Sequence, residues 1–299
     1  MNKIGSTRSK AYRVFCLIVM ILLALLFMFP LYWIIIGAFK TSAENYSTTP
    51  VWWPSEWTLD NMNKLFSRRS ASLFELKAFG YTIAGPTVPG AIRWLVNTVF
   101  MSVTAMILTC ITAALAGYAM AKKRFIGRRI VFGLIVCAMA LPKQVILIPL
   151  LREMSGLGLI DKIWAVILPT VGWPFGVFLM KQFSESIPDE VLESARIDGA
   201  SELKTFISIV FPMVKPGVGA LAIFTFINSW NDYFMQLVML SSNAKFTLPL
   251  GIATLQGDTT IDIGLLMVGA ALAAFPIIIV FLIFQKYFTK GITMGAVKG

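Results

Sequence analysis

Apolar residues in this chain fall into long runs separated by polar, charged segments. The first run extends from Val14 to about Phe39, behind Lys3, Arg8, Lys10 and Arg13. Others run from about Leu95 to Ala121, Ile130 to Leu151, Ile163 to Met180, Gly217 to Leu240 and Gly264 to Phe284. With allowance for its ends, each reaches the ~20 residues a helix needs to cross ~30 Å of hydrocarbon. The fourth is the shortest and draws on its flanks. The pattern predicts an all-α polytopic membrane protein with six transmembrane helices. The start also has the look of a signal peptide. However, its apolar run exceeds the roughly 7–15 residues of such a leader and lacks a small-residue cleavage site before Lys40. A retained first helix is expected.

Two polar connections stand out. Residues 40–94 are rich in Trp and Pro (Pro50, Trp52, Trp53, Pro54, Trp57). Such aromatics suit a membrane interface, or a lip that contacts a partner outside the membrane. The stretch Pro188 to Pro216 reads PDEVLESARIDGASELKTFISIVFPMVKP. Pro188 suits a first helical turn. Asp198-Gly199 signals a turn, with Gly199 able to close the helix in a left-handed conformation. Ser201 can cap a second short helix, which Pro212 and Pro216 are expected to interrupt. The reading is helix, tight turn, helix, held at the membrane surface.

Composition agrees: 57% of the 299 residues are hydrophobic, above the ~45–50% of soluble domains. The mean hydropathy is +0.77. The net charge of +11 does not point to nucleic acid, because the basic residues cluster at the ends of apolar runs, where lipid headgroups and topology favour them. Placing the N-terminus inside gives four Lys/Arg in that segment, five in 122–129, four in 181–215 and three in the tail. The short outer loops then carry two in 152–162 and one in 241–263. Short loops decide orientation, so both termini and the 188–216 stretch are expected in the cytoplasm. Without histidine, histidine relays, triads and metal sites are excluded. Cys16, Cys110 and Cys137 lie in apolar runs, with no disulfide or metal spacing.

Charges inside the spans are scarce, and an intramembrane ionisable residue suggests a functional site. Lys143 lies about thirteen residues into the third run, roughly 20 Å along a continuous helix. It could snorkel, pair structurally or line a pathway. Asn228, Asn231 and Asp232 recur at i, i+3 and i+4, which would put them on one helix face. Interhelical hydrogen bonding and a polar pathway both remain open for them. No phosphate-binding loop is present, so the chain cannot hydrolyse ATP by itself.

The run Glu193-Ser194-Ala195-Arg196-Ile197-Asp198-Gly199-Ala200, followed by Phe206, Ile209, Pro212 and Pro216, closely resembles the EAA loop of binding-protein-dependent ABC importer permeases. Ser194 stands where that family usually has Ala. Pro142-Lys143-Gln144-Val145, Ile148-Pro149-Leu150, Gly158-Leu159-Ile160-Asp161, Leu168-Pro169, Pro174-Phe175-Gly176 and Ser186-Ile187-Pro188 resemble its carbohydrate-uptake branch. Gly291-Ile292-Thr293-Met294-Gly295-Ala296-Val297-Lys298-Gly299 is similar to the tail of maltose-type permease subunits, which reaches into the ATPase dimer. The likeness covers most of residues 10–299. Residues 67–90 match nothing and look like an insertion.

The resemblance implies a type I ABC importer permease in a bacterial inner membrane. Its parts would be a cytoplasmic N-terminus (1–13), a first helix (14–39), a long external loop (40–94), a five-helix core (95–285) with a coupling loop at 184–216, and a cytoplasmic tail (286–299). Implied partners are a second homologous permease subunit, two cytoplasmic ATPase subunits that hold ATP and Mg, an extracytoplasmic solute-binding protein, a sugar and membrane lipid. No cofactor is expected in this chain. Glu193, Ala195, Asp198, Gly199, Ala200, Ile209 and Pro212 would couple to the ATPases, with the small residues admitting a partner's surface. Gly295, Lys298 and Gly299 would contact them from the tail, and Lys143, Asn228, Asn231 and Asp232 would line the solute path. An importer of glycerol phosphate, polyol or amino acid is the alternative, and the tail and the Trp/Pro-rich loop speak against the amino-acid type. An ion-coupled secondary transporter or a membrane-embedded enzyme fits less well.

Overall fold

The structure is a computed structural model that describes residues 10–78, 81–256 and 262–296. Among these, five helical segments are long and apolar enough to cross a membrane: Tyr12–Ala38, Gly90–Lys122, Trp164–Glu185, Glu202–Trp230 and Ile263–Gln285. A bent pair, Arg128–Met139 and Lys143–Gly156, makes a sixth if its halves, 109° apart, count as one span. The chain divides into two compact units, Met1–Arg68 with Gln256–Ala274 and Arg69–Leu255 with Phe275–Gly299.

The first unit contains α1 (Lys10–Ala38), α2 (Ser42–Asn45) and α3 (Asp60–Ser67). Helix ends leave carbonyls without intrahelical partners. Here the buried Asn61 amide closes the end of α1, donating to the Ala38 carbonyl at 3.2 Å and the Lys40 carbonyl at 2.7 Å. Lys40 is itself only 2% exposed. Its ammonium donates to the Val51 carbonyl and lies 4.0 Å from the Trp33 ring centre, so the cation is both bonded and held over a π face. Thr41 and Glu44 form a reciprocal capping box at α2. Glu44 also accepts from the Ser55 hydroxyl and N–H at 2.6 and 2.8 Å. These bonds, Ser55 first, hold its carboxyl down at about 2. The Trp/Pro-rich stretch is thus an ordered loop, with Trp52, Trp53 and Trp57 more than half exposed.

The second unit opens with four short strands, β1 (Ser70–Ser72), β2 (Glu75–Ala78), β3 (Tyr81–Ala84) and β4 (Thr87–Pro89). β2 pairs antiparallel with β3, and β1 with β4, from Ser70 opposite Pro89 inward. The two ladders are joined by Leu73 N–H to the Pro86 carbonyl and Gly85 N–H to the Phe74 carbonyl, both 2.9 Å. The unmatched 67–90 stretch is therefore mostly paired strands whose ends meet. It is an exception to the all-α expectation.

The scaffold of this unit is α4 (Gly90–Lys122). It starts five residues before the expected Leu95, because Pro89 is extended and ends the strand, and the polar first turns bind backbone. Arg93 Nε reaches the Ala244 carbonyl at 3.0 Å, Trp94 the Asn243 carbonyl at 3.0 Å, and Asn97 the Ala244 and Phe246 carbonyls at 2.9 and 2.8 Å. After α4 come α5 (Arg128–Met139), α6 (Lys143–Gly156), α7 (Trp164–Val171) and α8 (Pro174–Glu185). α4 crosses α8 at very short range: a Cβ on Gly117 would sit 2.6 Å from Met180 and Lys181 backbone. Small residues at such crossings permit packing where no hydrophobic drive separates helix from lipid. Cys110, Ala113, Tyr118, Met180, Ile187, Phe206, Val210 and Leu221 form the core around it.

The rest of the chain is α9 (Asp189–Ile197), α10 (Glu202–Thr205), α11 (Phe211–Trp230), α12 (Phe234–Met239), α13 (Leu248–Thr254) and α14 (Ile263–Ala296). Three expectations need correction. The third span is not continuous: α5 stops at Met139 and α6 begins at Lys143. Pro142 cannot extend the ladder, and it biases Leu141 out of the helical region. Conversely, Pro212 and Pro216 do not interrupt the helix after α10. A π turn, Phe206–Val210, with Phe211 N–H bonded to the Phe206 carbonyl, carries the chain into α11, where Pro212 falls in the first turn and Pro216 is absorbed. Finally, the fifth span ends at Trp230 and not near Leu240.

Candidate functional site

The segment from Pro188 to Pro216 is built by local signals. Pro188 is the extended residue before α9, and Asp189 and Glu190 occupy the first turn, where carboxylates complement the helix dipole. α9 closes in a full Schellman motif. Ala200 N–H bonds the Ala195 carbonyl at 3.0 Å, and Gly199 N–H bonds the Arg196 carbonyl at 3.1 Å. Gly199 has φ 72°, and nothing lies within 4 Å of a Cβ placed on it. Its need for glycine is therefore conformational, not a matter of room. The Ser201 hydroxyl then accepts from Lys204 N–H and caps α10.

Ionic contacts fasten this segment to the end of α4. Lys122 Nζ donates to Asp189 at 2.7 Å and to the Ile187 carbonyl at 2.5 Å. Lys123 pairs with Glu202 and lies 5.1 Å from the Tyr118 ring centre, while Arg196 stands 3.9 Å from Glu202. The Lys122 hydrogen bond and charge hold the Asp189 carboxyl below its usual value, and Lys123 does the same for Glu202. In the sequence, Lys122 and Lys123 read only as topology signals. Their spacing from Asp189 and Glu202 gives no hint of pairing.

The predicted coupling residues divide into two groups. Glu193, Asp198 and Gly199 are exposed, and among the described residues no partner is found for the two carboxylates. Pro212 is exposed at the start of α11, and Ile209 is half-buried in the π turn. Ala200 borders a narrow cleft with Tyr118, Leu192 and Thr205. Ala195, by contrast, is 5% exposed, so it packs inward and offers no surface for a partner. What does project is apolar: Ile197 is 86% exposed and Leu203 64%. The period-3.6 pattern of α9 contains this signal, since Ile197 stands on its polar side.

The pathway candidates are regrouped. Asn228, Asn231 and Asp232 do not share a helix face, because α11 ends before the last two. The Asn228 and Asn231 amides turn back to the Phe224 and Ile227 carbonyls of their own helix, at 2.9 and 3.1 Å. Asp232 instead caps α12, with Oδ1 accepting from Met235 N–H at 3.2 Å, and its Oδ2 lies 3.9 Å from Lys143 Nζ. Lys143, at the bend of the third span, and Asp232, just past the end of the fifth, thus meet across two helix breaks, beside Gln144, Leu147, Phe234 and Met235. Gln144 and Phe234 are additions that the sequence pattern does not single out. Of the tail residues, Gly295 belongs to α14, and Lys298 and Gly299 lie outside the described residues.

Comparison with known proteins agrees with this architecture. Residues 113–294 match the family described as binding-protein-dependent transport system inner membrane component. The chain is 33% identical over 300 residues to an arabinooligosaccharides transport system permease protein of Bacillus subtilis, covering 98% of this chain and 99% of that one. It is 34% identical over 279 residues to a protein of the same description from Halalkalibacterium halodurans, covering 93% of each. A crystal structure of a bacterial ABC transporter involved in the import of the acidic polysaccharide alginate contains a chain of the same fold. That chain has a TM-score of 0.74 and 23% identity, over 95% of this chain and 100% of its own length. By its sequence and its helical framework, the chain belongs to the family of binding-protein-dependent transport system inner membrane components.

Proposed function

We propose that this chain is one of two related permease subunits in an ATP-driven importer of oligosaccharides, and that the Pro188–Pro216 segment is where the ATPase subunits dock. As a family member the chain is an inner-membrane transport subunit and not an enzyme. The bent pair α5 and α6 completes six spans, with both termini in the cytoplasm. ATP and Mg belong to the ATPase subunits, and an extracytoplasmic binding protein delivers the solute. Arabinooligosaccharides are the first solutes to test, because two relatives carry that description over most of their length.

One observation carries the docking assignment. The segment is clamped to α4 by Lys122 and Lys123, yet it presents Ile197 and the unpaired Glu193 and Asp198 outward. A clamped knob passes force to the helix that holds it. When ATP closes the ATPase dimer, the docked segment moves with it and shifts the population of inward- and outward-facing states. The α14 tail adds a second contact with the ATPases. The test is copurification. Ile197→Asp combined with Glu193→Ala should insert normally but lose the ATPase subunits and uptake. Normal assembly and uptake by that variant would refute the docking role.

A further inference from the structure

We propose that the helix breaks meeting at Lys143 and Asp232 form a subsite for an uncharged, polyhydroxylated solute on the wall of the translocation path, with Gln144 and Phe234 as its other working members. The proposal rests on the transport function above and adds to it residues and a ligand chemistry.

The backbone is the first argument. α5 stops at Met139 and resumes as α6 at Lys143, turned by 109°. α11 stops at Trp230 and resumes as α12 at Phe234. Discontinuous helices commonly build transporter solute sites. Here two such breaks adjoin each other.

Charge is the second argument. The Lys143 side chain is 60% exposed and that of Asp232 16%. An ion pair turned toward hydrocarbon is costly, so this open face requires water or polar groups. Asp232 Oδ1 is fixed by Met235 N–H at 3.2 Å, whereas Oδ2 stands 3.9 Å from Lys143 Nζ. That separation is too long for a direct hydrogen bond. A solute hydroxyl can bridge the pair from its open side, donating its proton to Oδ2 and accepting from Nζ.

The rim supplies the rest. Gln144 is exposed beside Lys143 and offers an amide donor and acceptor. Phe234 is 57% exposed and supported edge-on by Tyr233, with ring centres 5.8 Å apart. It presents the flat apolar face on which the C–H side of a sugar ring can lie. The pair is neutral overall, so an ionic solute would meet a like charge at one end. Asn228 and Asn231 each use one N–H on their own helix, and neither adjoins the Lys143–Asp232 cleft.

The test uses the complete importer, this chain with its own partner subunits, in proteoliposomes. Cys16 and Cys137 are replaced by Ser, and Cys110 is buried in the core. Gln144→Cys and Phe234→Cys are then exposed to the membrane-impermeant, charged reagent methanethiosulfonate ethylsulfonate, without nucleotide and in the ATP–vanadate state. Both cysteines should react, at rates that differ between states by about tenfold or more, as expected when one conformer is a minor population in the other state. No reaction in either state, or equal rates in both, would overturn the subsite. A second measurement addresses the ligand. Asp232→Asn and Lys143→Gln should each reduce uptake of radiolabelled arabinotriose while the ATPase activity stimulated by loaded binding protein stays near that of the unsubstituted complex. A parallel fall in stimulated ATPase would mean the pair only holds the helices together, and the proposal fails. If the unsubstituted importer showed neither arabinotriose uptake nor stimulated ATPase, the transport function itself would fall first, and the subsite with it.

Discussion

Helix α9 ends by means contained in its own residues: a glycine at φ 72°, two backbone bonds around it, and a serine that caps α10. Helices α5 and α11 end differently. Pro142 stops one, and a residue that the periodic pattern would keep helical, Asp232, leaves the other to cap α12 and face Lys143 across the gap. The contrast is between a turn closed wholly by its own residues and two locally made breaks that also face each other through a remote ion pair. It suggests a division of labour. The element proposed to receive force is locally self-determined, so it would keep its shape as partners come and go. The element proposed to meet solute depends on contacts that can be rearranged.

The largest effect is expected from straightening the α5–α6 break. Proline disfavours a helix interior by ~3 kcal/mol, which is more than a hundredfold in an equilibrium. Pro142→Ala should therefore favour a continuous α5–α6 helix, separate Lys143 from Asp232 and abolish uptake while the protein still inserts. Pro216→Ala should leave uptake intact, because α11 already runs through that position. Uptake assays on both variants decide the matter; equal effects would erase the distinction between the two prolines.

The local turn gives a middle-sized effect. A side chain in the left-handed region costs about 1–2 kcal/mol, and Asn tolerates it better than most. Since nothing surrounds Gly199, Gly199→Asn should retain assembly with the ATPase subunits and Gly199→Val should lose much of it. If both fail alike in copurification, bulk at a partner's surface matters more than backbone conformation.

Acid should give the smallest effect. The Asp189 and Glu202 carboxyls are held below their ordinary values by Lys122 and Lys123. Their pairing therefore stabilises the segment above the usual carboxylate range and is lost as pH falls through the depressed values. Relative to its rate on an unstructured peptide at the same pH, pepsin cleavage within 188–216 should stay slow near pH 5 and rise below about pH 4. Lys122→Met with Lys123→Met should remove that dependence. These carboxylates face water, so the change is modest; an unchanged pH profile in the double variant would show that other groups hold the segment.

Much of the molecule is legible in its residues. Runs of apolar residues mark the spans, because hydrocarbon selects length and composition and little else. The Pro, Gly and Ser punctuation of 188–204 gives helix, turn and cap almost residue by residue. The interruption of the third span is harder to see, although Pro142 is in view, since the same residue type is harmless at Pro212 and Pro216. What separates them is the π turn before α11, a feature with no composition of its own. Ala195 resembles a docking residue in the sequence, and only the packing of α9 shows that it faces inward.

By itself the sequence determined the membrane class, the helical framework and the local form of the 188–204 segment, all of which follow from short-range backbone preferences and from the cost of putting polar groups in lipid. The tertiary structure decided which prolines break helices, where α9 is clamped, and that Lys143 and Asp232 form a pair. Those outcomes depend on groups far apart in the chain, Lys122 with Asp189 and Lys143 with Asp232, whose attraction acts only once packing has brought them within a few ångströms.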